Sequence, residues 1–155
     1  MTSDMDKKLL DRFQLLCSRS EQCSAEVYRK VVQALEGDEL QAAEIVSSLI
    51  ADGYVSDSRY AAAFARDKAH LNGWGPVKIR FQLRSKGVND ASISAALETV
   101  DAQAAGERLH RLLEAKCRSL TGDPNIKLKL LKFALGRGYA YDQIAGMVDE
   151  ILANG

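Results

Sequence analysis

The stretch from Gly53 to Val88 reads GYVSDSRYAAAFARDKAHLNGWGPVKIRFQLRSKGV, and its punctuation decides the fold. Ser56 or Asp57 can cap a helix that carries Tyr60, Ala61, Phe64, Ala65 and Leu71 at helical spacing and ends near Asn72 and Gly73. Pro76 suits the first turn of a following helix, where its missing N–H would have had no intrahelical partner. Ile79 and Leu83 mark the buried side of that second helix, and Gly87 stops it.

Outward from this stretch the same signals repeat. On the N-terminal side, Leu9, Leu10, Phe13, Leu16 and Cys17 form one apolar stripe, with Ser3 and Asp6 as an expected cap and its acidic partner. Ser24 is placed to cap a helix with Val27, Tyr28, Val31, Val32 and Leu35 inward and Gly37 as its stop. Asp38 then caps one with Ile45, Val46, Leu49 and Ile50, ended by Gly53. On the C-terminal side, Asp90 is expected to cap a helix striped by Ile93, Ala96, Leu97 and Val100. Asp101 opens another, with Ala105, Leu109, Leu112, Leu113 and Cys117 inward, stopped around Thr121 and Gly122. Asp123 and Pro124 look like a cap-and-proline start for Ile126, Leu130, Leu131, Ala134 and Leu135, up to Gly138. The last helix, with Ile144, Met147, Val148, Ile151 and Leu152, has a poor cap in Ala140 and Tyr141 and is expected to fray or dock differently. Sustained period-two alternation is absent, so an all-α fold is expected.

An offset of 51 residues places Gly87 on Gly138, Ile93 on Ile144, Leu97 on Val148 and Val100 on Ile151. The first three helices follow the same long, short, short order. Three three-helix, helix-turn-helix-like repeats are therefore expected, over 1–56, 57–100 and 101–155, stacked into an elongated, curved array.

The 21 basic and 21 acidic residues of the 155-residue chain cancel, so attraction for a polyanion would have to be local. The charge is segregated. Residues 57–90 hold seven bases (Arg59, Arg66, Lys68, Lys78, Arg80, Arg84, Lys86) against three acids, whereas residues 1–56 hold six bases against ten acids. Arg80 and Arg84 lie one turn apart and can share an outer face. Trp74, between two glycines, can stack on a base or fill a partner's pocket, although plugging the corner between its own helices is the commoner use of such a residue. Tyr54, Tyr60, Phe64 and Phe133 fall on core stripes.

Three cysteines without a C-x-x-C pair indicate neither a disulfide framework nor a zinc knuckle, and Cys17 reads as a small buried hydrophobe. His70 and His110 are isolated, solvated or capping, and no metal site is expected. Neither a phosphate loop nor a dinucleotide fingerprint is present, no cofactor is implied, and nothing selects a nucleophile and base. The charged N-terminus argues against a secretory signal and no run is long enough to span a membrane, so a reduced, cytoplasmic protein without membrane contact is expected.

The series LIADGY from Leu49, DSRYA from Asp57, FAR from Phe64, WGPVKI from Trp74, LRSKGV from Leu83 and FALGRGY from Phe133 resembles the RecX family, regulators of the bacterial recombinase RecA. The resemblance runs from about Leu49 to Leu152 and is weakest in the first repeat. It implies a non-catalytic, monomeric protein of three helical units that lodges in the groove of the RecA–DNA filament and restrains it, touching single- or double-stranded DNA there if at all. The expected contact residues are Arg59, Arg66, Lys68, Trp74, Lys78, Arg80, Arg84 and Lys86, with Lys129, Lys132 and Arg137 as weaker candidates. A direct DNA-binding protein is the main alternative, on the basic middle unit and its short helix pairs, and a general helical scaffold is a third.

Overall fold

The computed structural model describes residues 4–155. Nine helices follow in order among them: α1 (Asp4–Arg19), α2 (Ser24–Ala34), α3 (Glu39–Ala51), α4 (Asp57–Asn72), α5 (Pro76–Ser85), α6 (Asp90–Glu98), α7 (Ala102–Ser119), α8 (Ile126–Gly136) and α9 (Tyr141–Asn154). No strand occurs among the described residues, so the all-α expectation holds. None of the helices there is long and apolar enough to cross a membrane.

Three hydrophobic clusters succeed one another along the chain. Phe13, Val27, Val31, Ile45 and Leu49 centre the first. The second gathers Ala61, Ala65, Ala69, Ile79, Leu83 and Ile93, and the third Leu109, Leu113, Leu130, Ile144 and Val148. The three alanines on α4 recur every fourth residue, and their small side chains let α6 lie close against that face. Ala105, in the first turn of α7, joins the second cluster rather than the third, so α7 spans two cores.

Helix ends follow local chemistry in most places. Asp38, Ser56 and Asp101 accept backbone N–H bonds from Gln41, Arg59 and Ala104. Gly37, Gly53, Gly73, Gly87, Gly122 and Gly138 all have positive φ, the left-handed geometry that L side chains resist. Three expected caps differ and a fourth is not described. The expected Ser3 cap lies outside the described residues. Cys23, not Ser24, is the N-cap of α2, and Ser24 instead donates from its N–H and its hydroxyl to the two carboxylate oxygens of Asp57, at 2.7 and 2.8 Å. Asn89 caps α6 by accepting from the Ser92 N–H at 2.8 Å, which leaves Asp90 free to pair with Arg84. Asp123 and Pro124 form a turn before α8 rather than its first turn, with Asp123 accepting from the Asn125 N–H and from Lys129.

The last helix is regular from Tyr141 and buries Ile144, Val148 and Ile151, contrary to the expected fraying. Gln143 replaces the missing cap by accepting from the Ala140 N–H at 3.0 Å, which is the reciprocal half of a capping box. Ile50, Leu71 and Leu135 are exposed rather than inward, because each lies beyond the edge of the stripe its neighbours bury.

Candidate interaction surface

The basic residues of the middle unit divide by what they touch. Arg59 donates from Nε to Glu21 at 2.9 Å and from Nη2 to the Gly53 carbonyl at 2.7 Å, tying α4 to the segment before α2. Lys86 reaches Glu26 on α2 at 3.0 Å. That bond holds the Lys86 ammonium above the usual lysine range and the Glu26 carboxyl below the usual carboxylate range. With Asp57 on Ser24, these contacts join the first unit to the second.

Arg137 performs the corresponding task at the next junction, donating from Nη1 to the Asn72 carbonyl at 2.7 Å. The main chain is joined there too. Gly75 N–H donates to Arg137 O at 2.6 Å and Val77 N–H to Gly138 O at 3.0 Å. The approach is close enough that a Cβ on Gly138 would stand 2.6 Å from the Lys78 nitrogen, and one on Gly75 would stand 2.6 Å from the Gly138 carbonyl carbon. His70 Nε2 accepts from the Asp101 N–H at 3.2 Å, so this side chain caps the start of the third unit. An apolar cavity of about 290 Å³ remains between the two units, lined in part by Trp74, Ile79, Leu97, Tyr139 and Met147.

Trp74 packs against the second core, edge-on to Phe64 at 6.1 Å between centroids. The ammonium groups of Lys68 and Lys78 lie 4.8 and 4.4 Å from its ring centre, within the range of cation–π attraction. Lys78 also donates to the Gly136 carbonyl at 3.4 Å.

The remaining candidates face outward. Arg84 pairs with Asp90 at 2.9 Å, both well exposed, and Arg80 donates to the Ser94 hydroxyl at 3.4 Å. Lys129 pairs with Asp123. Arg66 and Lys132 are exposed, with no ion pair among the described residues. Such exposed pairs are worth about 0–1 kcal/mol and exchange readily for a partner's acid. Composition pointed to all of these cations. It did not point to Glu21 and Glu26 as the groups that occupy Arg59 and Lys86, because the pairing crosses from one unit to the next.

No group of three or more His, Cys, Asp or Glu placed to hold a metal occurs among the described residues. Cys17 and Cys23 are buried, and burial pushes both thiols up, away from the reactive thiolate.

Comparison with known proteins agrees with this architecture. Residues 56–97 match the model of the RecX second three-helix domain. The regulatory protein RecX of Bacillus mycoides (strain KBAB4) is 34% identical over 110 residues, covering 70% of this chain and 41% of that protein. Its counterpart in Bacillus thuringiensis (strain Al Hakam) is 32% identical over 110 residues, with the same coverage. The match thus spans about two fifths of the length of these curated relatives. Among solved structures, the crystal structure of RecX from Lactobacillus salivarius superposes with a TM-score of 0.76 at 24% identity, covering 97% of this chain and 96% of that one. A crystal structure of regulatory protein RecX gives 0.83 at 21% identity, covering 96% of this chain and 73% of that one. Residues 56–97 are thus similar to the RecX second three-helix domain, most of the chain is similar in sequence to regulatory protein RecX, and the fold is shared with two RecX structures.

Proposed function

We propose that the chain binds the RecA–DNA filament and restrains recombinase activity in DNA repair and recombination, acting by binding rather than by catalysis. The observation that carries this reading is the segregation of charge along a serial body. Residues 57–90 hold an excess of four bases, residues 1–56 an excess of four acids, and the two segments are joined through Asp57, Glu21 and Glu26. A protein with both signs arranged along its length complements a surface that alternates protein and phosphate better than it complements bare phosphate. Arg66, Arg80 and Arg84 are the cations of the middle unit offered outward, and we place the filament contact on them; Lys68, Lys78 and Trp74 support that surface from the side of the junction.

Direct binding to DNA is the second reading, favoured by α5, which follows a glycine corner and carries Lys78, Arg80 and Arg84 without an acid. The two separate in a binding experiment with labelled protein, single-stranded DNA with and without RecA, and a salt series. Filament binding is expected to exceed binding to bare DNA at every salt concentration. Equal affinity for both, with a steep salt slope, would replace the first reading by the second. In the same experiment the double variant Arg80→Glu with Arg84→Glu is expected to weaken filament binding about tenfold or more while unfolding like the parent, on the scale of desolvated charge pairs at an interface.

A further inference from the structure

The second helix of the second unit and the second helix of the third carry outer stripes of like composition in a different order. On α5 the exposed face runs Val77, Phe81, Arg84, with Val77 58% and Phe81 69% exposed. The offset of 51 residues carries these positions onto Leu128, Lys132 and Leu135 of α8, where Leu128 is 52% and Leu135 43% exposed and Lys132 is exposed as well. Each stripe therefore combines two large apolar side chains and one cation at i, i+4 and i+7, one face of a helix. Neither helix contains an acid: α5 holds Lys78, Arg80 and Arg84, and α8 holds Lys127, Lys129 and Lys132. Three of the six answer acids elsewhere, Arg84 with Asp90, Lys127 with Asp149 and Lys129 with Asp123, all at the surface.

The first unit lacks the pattern. Aligning its buried Val27 and Val31 with Ile79 and Leu83 puts Ala25, Arg29 and Val32 at the corresponding positions. Ala25 sits against Gly87 of the next unit, and Val32 packs on the first core. The two stripes that do exist begin and end at one place. The first turn of α5 is bonded to the C-terminal end of α8, through Val77 N–H to Gly138 O and Lys78 Nζ to Gly136 O.

We infer that the outer faces of α5 and α8 form one docking surface for an acidic protein surface with apolar hollows. Resting on the proposed filament binding, this makes the protein subunits of the filament, not its DNA, the partner of both stripes. Val77, Leu128 and Leu135 have no π-face on which a base could stack, and phosphate cannot desolvate them, so four apolar side chains out of six argue against a nucleic-acid backbone. Apolar anchors ringed by cations suit an interface core, where aromatic residues and Arg are enriched. Two stripes of like composition on one body give two weak contacts, which add through avidity on one partner.

The test compares three full-length proteins: the parent, Val77→Gln with Phe81→Gln, and Leu128→Gln with Leu135→Gln. Glutamine keeps helix propensity at these exposed positions, and thermal unfolding confirms the fold. Binding is measured to RecA filaments on single-stranded DNA and to the DNA alone, and the mass of each protein is read by light scattering. Each double variant is expected to bind filaments about tenfold or more weakly, with bare-DNA binding and mass unchanged. Variants that bind filaments like the parent overturn the docking surface and leave the filament reading standing. A parent that does not bind filaments at all overturns both. Equal losses on filament and bare DNA make the stripes a nucleic-acid contact, and a parent oligomer that the variants dissolve makes them a self-contact; either result overturns the inference.

Discussion

Between the first and second units the contacts are made by side chains, Asp57 with Ser24, Arg59 with Glu21 and Lys86 with Glu26, whereas between the second and third the main chain itself is joined, Gly75 and Val77 donating to Arg137 and Gly138. Side-chain ion pairs hold a relative position while tolerating small rotations, and they weaken as salt or pH changes. Backbone bonds through two glycines in close approach have no such tolerance. The chain therefore combines a second and third unit fixed as one body with an acidic first unit attached by adjustable contacts. The two outward stripes both lie on the fixed body, where their spacing is constant.

The largest expected effect comes from breaking the fixed junction. Gly138→Ala needs a Cβ inside the space of the Lys78 backbone and a positive φ of 94° at a non-glycine residue. A loss of about 3 kcal/mol or more in denaturant unfolding is expected, with hydrogen exchange accelerated at Val77 and in α9. Unchanged protection of Val77 would mean that the junction is adjustable after all. Next in size is Asp57→Ala, which removes both bonds to Ser24 and leaves the Ser24 N–H at the start of α2 without its acceptor. About 1–3 kcal/mol is expected, with faster exchange confined to the first unit, and an equal response in α7 to α9 would contradict the separation of the junctions.

A smaller effect attends Lys86→Met. The half-buried geometry limits the loss to about 1 kcal/mol, and raising salt to about 0.5 M should reproduce most of it in the parent but add little in the variant. Acid gives the smallest signal. The Glu26 carboxyl is held below its ordinary value by Lys86, so its contribution is complete above the unfolded carboxyl value of about 4.3 and disappears as pH falls through the lower folded value. Scattering profiles or exchange rates should show the first unit loosening below about pH 4 before the Gly75–Gly138 contact does. Simultaneous loosening of both would weaken the distinction.

Much of this architecture is legible in the order of residues because its signals are local. Glycines at 37, 53, 73, 87, 122 and 138 mark left-handed turns wherever they were expected to stop a helix, and Asp38, Ser56 and Asp101 cap within three residues of themselves. The failures are nonlocal. Ser24 has the chemistry of a cap, but Asp57, 33 residues later, is near enough to accept hydrogen bonds from both its N–H and its hydroxyl. Ile50, Leu71 and Leu135 satisfy helical periodicity yet face water, since period alone does not say how wide the covered stripe is. The same holds for the surface. A count of cations identifies the basic middle unit, but Arg59, Lys86 and Arg137 differ from Arg66 only through groups that folding brings to them. Phe81 and Leu128 were silent in the sequence because an exposed hydrophobe and a buried one are written with the same letter.

The most direct measurement is the RecA ATPase rate on single-stranded DNA with the protein added below the recombinase's stoichiometry. The filament account predicts a rate that falls as protein is added and falls less for Arg80→Glu with Arg84→Glu. An unchanged rate at every ratio, with the protein folded throughout, would contradict it.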